Sequence, residues 1–323
     1  MAVAQTLSLD DVLAARATIG GRLHRTPTFS SATLSRRLGA SAHLKAELFQ
    51  RTGSFKPRGV LTKLASLSDD EKARGVISIS AGNHAQALAY AAALERIDAL
   101  VVMWQGASTS KIEAAREYGA TIDLEAPGSP EAFDRLQQLI EETGRTLVHP
   151  FDDPLVMAGQ GTVGLEILED VPEVDVILVQ VGGGGLVSGI ATAVKGLKPS
   201  VRVVAVEPEL SAALHEGLAA GRQVRVQPRS IADGLAGPFA GESCLAVCAA
   251  LGVETALVTE AELVEAFRFL YGRAKLACEP AGAATTAALL AGKVELGAGE
   301  TAVAVVSGGN VSADTASAIL GEA

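Results

Sequence analysis

The sequence predicts an α/β fold with two open, mostly parallel sheets covered by helices on both faces. Two observations carry this prediction. Strand-like runs rich in Val and Ile alternate with helical patterns along almost the whole chain, as in Val174–Val181 followed by Leu186–Gly196. That alternation marks parallel sheets joined by crossover helices. The strand-like runs also lack the polar alternation that a sheet with one wet face requires. With 323 residues, 48% of them hydrophobic, the chain is long enough for two domains with cores of their own.

In chain order, Ser8-Leu9-Asp10-Asp11 reads as a capped helix start, with a helix to about Arg22. Arg25-Thr26-Pro27 is an extended connector, Thr33–Leu38 a short helix and His43–Leu48 the first strand. An amphipathic segment, Val60–Leu67, follows. Further strands are expected at Val76–Ser80, Ala99–Met103, Thr121–Leu124, Thr146–Val148, Val174–Val181, Val201–Val206, Ala256–Val258 and Thr301–Val306. Helices are expected between most of them, at Asn83–Leu94, Lys111–Tyr118, Pro130–Thr143, Met157–Leu168, Leu186–Gly196 and Glu260–Lys275. Thr259 and Glu262 spell a capping box for the last. His149-Pro150-Phe151-Asp152-Asp153-Pro154 interrupts both periods and reads as a crossing between domains. Residues 1–69 and 151–323 are therefore expected to form a large domain, and 70–150 a small one. There is no internal repeat, and because the chain ends soon after its last strand and helix, no regulatory domain is expected.

A net charge of −10 argues against nucleic acid or an anionic membrane surface as partner. The three cysteines, Cys244, Cys248 and Cys278, are too few for a disulfide framework and suit a reducing cytoplasm. Cys244 and Cys248 share a probable helix, but no second pair completes a zinc site, so they read as buried core residues. Met1–Leu7 shows no signal peptide, and no apolar run is long enough to span a membrane.

Gly53-Ser54-Phe55-Lys56-Pro57-Arg58-Gly59 is the first stretch that carries chemistry. Pro57 fits the first turn of a helix. Lys56 then sits at a helix N-terminus, where the dipole lowers an amine pKa. Such a lysine serves as a Schiff-base nucleophile or as a phosphate clamp; taken alone, the heptad also suits a solvated lysine at a helix start. Gly182-Gly183-Gly184-Gly185-Leu186 follows the most apolar strand and opens a helix. Four glycines leave a nest of backbone N–H groups, which is a phosphate site. The spacing fits neither a dinucleotide fingerprint nor a P-loop, and a tight turn alone needs only one glycine. Ser80-Ala81-Gly82-Asn83-His84 puts a hydroxyl, an amide, an imidazole and free N–H groups at the carboxyl end of a strand. That set suits a carboxylate, with a plain N-cap as the competing reading. Ser307-Gly308-Gly309-Asn310 follows the last strand, Cys278-Glu279-Pro280-Ala281-Gly282 separates two helices, and Ile231-Ala232-Asp233-Gly234 is a loop. No metal cluster and no hydrolase-type nucleophile–base pair is visible. A reactive lysine beside a phosphate site suggests pyridoxal 5'-phosphate.

The same stretches resemble the fold-type II pyridoxal-phosphate enzymes, in particular the serine/threonine dehydratases (ammonia-lyases) and their serine racemase relatives. The likeness runs from Arg25-Thr26-Pro27 to Ser307-Gly308-Gly309-Asn310, and implies a tryptophan synthase β-like fold. It makes Lys56 the lysine that joins the cofactor as an imine, with Phe55 packed on the cofactor ring and Asn83 on its hydroxyl. Gly182, Gly183, Gly184, Gly185 and Leu186 would cradle the phosphate, and Ser307 would face the pyridine nitrogen. Ser80, Ala81, Gly82, Asn83 and His84 would hold the substrate carboxylate. Two departures stand out. Racemase-like members carry a serine directly before Gly-Asn-His, where this chain has Ala81. Many relatives bind a divalent cation through a glutamate and an aspartate six residues on. Here Glu207 is followed at that place by Ala213, so no metal ligand is assigned and strong divalent-cation dependence is not expected.

The expected activity is β-elimination from L-threonine or L-serine to a 2-oxo acid and ammonia. Racemisation, dehydration of another 3-hydroxy amino acid, β-replacement of the cysteine-synthase type and a non-catalytic cofactor carrier are the alternatives. The resemblance also implies a homodimer. A serine rather than an aspartate at the ring nitrogen does not stabilise a pyridinium, which favours expelling the leaving group over a long-lived carbanion.

Overall fold

Two sheets organise the chain in a computed structural model that describes residues 7–107 and 109–321. The Met1–Leu7 reading falls outside these residues except at Leu7. The larger sheet contains six strands: β1 (Thr28–Ser30), β2 (Ser41–Ala46), β7 (Val176–Gln180), β8 (Arg202–Pro208), β9 (Glu254–Val258) and β10 (Thr301–Val306). The smaller has β3 (Val76–Ile79), β4 (Ala99–Trp104), β5 (Thr121–Ala126) and β6 (Thr146–Leu147). Their spatial orders are β1-β2-β10-β7-β8-β9 and β5-β4-β3-β6. Every pairing is parallel except β1 with β2.

The apolar strands are buried on both faces, as their composition requires. On the larger sheet, Leu44, Leu178, Val204 and Ala304 pack into one core, while Ile177, Val179, Val203 and Val303 pack into another. The smaller sheet divides in the same way, with Val76 and Val101 on one face and Ile77 and Val102 on the other. Each large apolar side chain so buried contributes about 1.5–3 kcal/mol.

Three helices fix the floor of the site. Pro57–Ala65, Pro154–Asp170 and Gly185–Leu197 pack side by side. The last two meet backbone to backbone: a Cβ at Gly189 would lie 2.1 Å from the Met157 carbonyl oxygen. Under the first lies a buried charge cluster. Arg58 donates to both carboxylate oxygens of Glu47 at 2.8 Å and to Glu166 at 2.6 and 3.0 Å, and Lys45 donates to Glu166 at 2.7 Å. Burial alone would lower the Arg58 pKa, but Glu47 and Glu166 outweigh it and hold the guanidinium charged.

Several expectations are corrected. β1, just after the connector Arg25-Thr26-Pro27, is an antiparallel edge strand that the sequence pattern does not predict. The first helix ends at Ile19, before Gly20 and Gly21, short of Arg22. The predicted helix Glu260–Lys275 is α-helical only to Phe269, and Leu270–Ala274 is a π-turn. Asp152 and Asp153 do more than break a pattern. Asp153 accepts from the N–H groups of Leu155 and Val156, and Asp152 from those of Glu242 and Ser243, so each caps a helix.

Candidate active site

The carboxyl ends of β3, β7 and β10 open onto one cavity of about 440 Å³. Ligands bind at this end of open parallel sheets. Phe55, Lys56, the turn Ser80–His84, the glycine loop Gly182–Leu186 and Ser307 all line it, so the structure brings every predicted site residue to one place.

Lys56 is the N-cap of the helix Pro57–Ala65, with Pro57 in its first turn. Its Nζ donates to the carbonyl of Pro150 at 2.8 Å. Burial depresses the amine to about 8, against opposing effects of Cys244 and Glu279. The direction follows the sequence prediction, but the principal cause is burial in place of the helix dipole invoked there.

The glycine loop turns straight from β7 into the helix Gly185–Leu197, and among the described residues no side chain caps that helix. Its first amides are therefore unspent, which suits an anion. Two positions require glycine. Gly184 has φ 98°, and a Cβ at Gly183 would lie 2.2 Å from the Phe151 ring. Gln180, just before the loop, is buried with neither amide atom paired among the described residues.

The turn after β3 has the same economy. Gly82 is the N-cap of the helix Asn83–Glu95 and supplies no side-chain cap, so neither Ser80 nor Asn83 is spent on capping that helix. Ser80 Oγ instead accepts from the Gly82 N–H at 3.1 Å. Asn83 Nδ2 donates to Glu279 at 2.7 Å, and Asn83 Oδ1 accepts from Asn310 Nδ2 at 2.8 Å. His84 is buried and faces inward, with Nε2 3.1 Å from the Val148 carbonyl. Burial, and then the nearby Lys56, press its pKa down to about 3, so its ring is neutral.

The last turn is stitched to the lysine loop. The Phe55 N–H donates to the Ser307 carbonyl at 3.1 Å, and the Gly309 N–H donates to that of Gly53 at 2.9 Å. Ser307 is thereby fixed beside Phe55 and Lys56.

A family model described as "Pyridoxal-phosphate dependent enzyme" matches residues 20–308. The chain belongs to this family. It is 42% identical to the L-threonine ammonia-lyase of Thermotoga maritima, over 94% of this chain and 76% of that protein. It is equally similar, at 42%, to a catabolic L-threonine dehydratase of Staphylococcus aureus, over 98% of this chain and 93% of the relative. Among solved structures, maize serine racemase aligns with a TM-score of 0.92 at 36% identity, covering 96% of this chain and 95% of that one.

The cavity has what pyridoxal phosphate needs: an uncapped glycine cradle for a phosphate and an amine of lowered pKa facing the same space. Other parts of the site carried no local signal. The Pro150 carbonyl and the Phe151 ring come from a segment that reads only as a crossing. Glu279 reads as a helix breaker, yet it lines the cavity and accepts from Asn83. Glu207 is buried and accepts from the N–H groups of Leu214 and His215, both at 2.8 Å. Burial raises its pKa to about 7, against those two hydrogen bonds.

Proposed function

We propose that the chain is a pyridoxal-phosphate-dependent ammonia-lyase that converts L-threonine, L-serine or both to 2-oxobutanoate or pyruvate and ammonia. The observation that carries this reading is the Lys56 amine, held 2.8 Å from the Pro150 carbonyl and depressed to about 8, in a cavity shared with an uncapped glycine loop. When bound, pyridoxal phosphate joins an amine as an imine and draws electrons from the substrate α-carbon.

The protein's share of the chemistry follows from its residues. Gly182, Gly183, Gly184 and Gly185, with Leu186, hold the phosphate through backbone N–H groups. Phe55 packs on the ring, Asn83 bonds the ring hydroxyl, and the Ser307 hydroxyl faces the ring nitrogen. Ser80 offers the substrate carboxylate a hydroxyl, and Gly82 and Asn83 offer it backbone N–H groups at the start of the helix, while Ala81 and neutral His84 shape the wall. Lys56 Nζ removes the α-proton as general base, its pKa near the working pH as such a base requires. Residues 70–150 are assigned to the substrate side, and 1–69 with 151–323 to the cofactor side. A homodimer and a cytoplasmic location belong to the same reading.

Racemisation is the second reading, favoured by the likeness to maize serine racemase. Ala81 weighs against it, having no group to return a proton to the opposite face. Incubation of the reconstituted protein with L-threonine and L-serine is expected to yield 2-oxo acid and ammonia in equal amounts. Absence of 2-oxo acid from any 3-hydroxy amino acid would overturn the proposal.

A further inference from the structure

Glu279 is buried in the cavity wall, and its place is unusual for a carboxylate. It is the N-cap residue of the helix Pro280–Leu290 but makes no side-chain cap bond. Its Oε1 instead accepts from Asn83 Nδ2 at 2.7 Å. The final turn makes room for it: a Cβ at Gly308 would lie 2.4 Å from that oxygen, and the Glu279 N–H donates to the Gly308 carbonyl at 3.0 Å.

The bonds around it define a polarity. The Thr52 carbonyl can only accept, and Asn310 Nδ2 donates to it at 2.7 Å. The same Nδ2 donates to Asn83 Oδ1 at 2.8 Å. Asn83 therefore turns its oxygen to Asn310 and its NH2 to Glu279. Reversing the amide would set its oxygen against a carboxylate and its NH2 against another NH2. One of the two Asn83 N–H bonds is taken by Glu279, which leaves one to offer.

We propose that Glu279 is a positioning residue: by accepting from Asn83 it fixes that amide so that an N–H, and not an oxygen, is presented to the ring oxygen of pyridoxal phosphate. The proposal rests on the reading above that Asn83 bonds the ring hydroxyl. The charged groups facing Glu279 are Lys56 from the lysine loop, Asp233 from the 3-10 turn Asp233–Leu235 and Lys111 from the helix Thr109–Glu117. Lys111 and Asp233 are themselves paired. Burial pushes Glu279 up to about 7 and Asp233 adds to this, while the Asn83 bond, Lys111 and Lys56 oppose it. Its charge thus changes near neutrality.

The test titrates pyridoxal phosphate into the full-length apo protein and its Glu279→Gln and Glu279→Ala variants. Binding is read by the visible absorption band and by fluorescence of Trp104, the single tryptophan, which lines the cavity. Gln keeps an acceptor oxygen, so E279Q is expected to bind within about threefold of wild type. E279A loses the acceptor and is expected to bind about tenfold more weakly or worse. E279A binding within twofold of wild type, or E279Q binding as weakly as E279A, would overturn the proposal. Should E279A fail to fold, the affinity of E279Q decides alone, and binding more than about tenfold weaker than wild type overturns the proposal. No visible band in the wild type would instead bring down the cofactor reading, and this proposal with it.

Discussion

Lys56 Nζ and the Pro150 carbonyl oxygen lie 2.8 Å apart, joining the N-cap of one helix to the segment that crosses between the sheets. A carbonyl accepts from an amine in either protonation state, so this contact aims the nitrogen without forcing it to stay charged. Burial then does the rest, bringing the amine to about 8. The other cavity lysine is tied up differently, since Lys111 is paired with Asp233.

The first prediction concerns pH. Only the neutral amine attacks an aldehyde, and its neutral fraction rises with pH through about 8. The rate at which the apo protein takes up pyridoxal phosphate should climb through that value and level off above it. Stopped-flow absorbance measures this, and a midpoint near the ordinary lysine value of 10.5 would refute it.

Gly183→Ala should disable the phosphate cradle. The added Cβ meets the Phe151 ring at 2.2 Å, so the ring or the loop must move. Cofactor affinity should fall by about tenfold or more, a loss of roughly 1.4 kcal/mol. Equilibrium titration checks this, and unchanged affinity would show that these amides do not hold the phosphate.

Arg58→Ala should cost stability before anything else. Removing the guanidinium leaves Glu47 buried without its partner, a loss of about 3–5 kcal/mol. Urea denaturation of the apo protein is the measurement. A change under about 1 kcal/mol would place this cluster with ordinary surface ion pairs.

The strands show what the sequence makes legible. Ala302–Val306 is an unbroken apolar run preceded by Thr301, and β10 covers Thr301–Val306 as the sequence predicts. β1 is three partly exposed residues with no period to read, so only its pairing with β2 reveals it. The short helix Asp69–Arg74 has no apolar period to reveal it, although Ser68 and Glu71 spell a capping box that the structure forms. The glycine loop and the lysine heptad carry their chemistry locally, in residue type and spacing. Glu279 does not. Its role arises from meeting Asn83, 196 residues away, and no local pattern encodes that contact.

Ala81→Ser tests the preference for elimination. Ala81 lines the cavity in the turn after β3 and has no proton to give. With L-serine, wild type should form D-serine on the order of 10²-fold more slowly than pyruvate, the scale of a missing general acid. The variant should narrow that gap, as read by chiral chromatography. Comparable D-serine and pyruvate rates in wild type would make racemisation the main activity.

The central claim is that Lys56 carries the cofactor, and covalent trapping tests it most directly. Borohydride reduction of the holoprotein, followed by proteolysis and mass spectrometry, should yield a single pyridoxyl-modified peptide with the label on Lys56. A label on Lys45, Lys63 or Lys111 in its place, or no label on a protein that shows a visible cofactor band, would contradict the account.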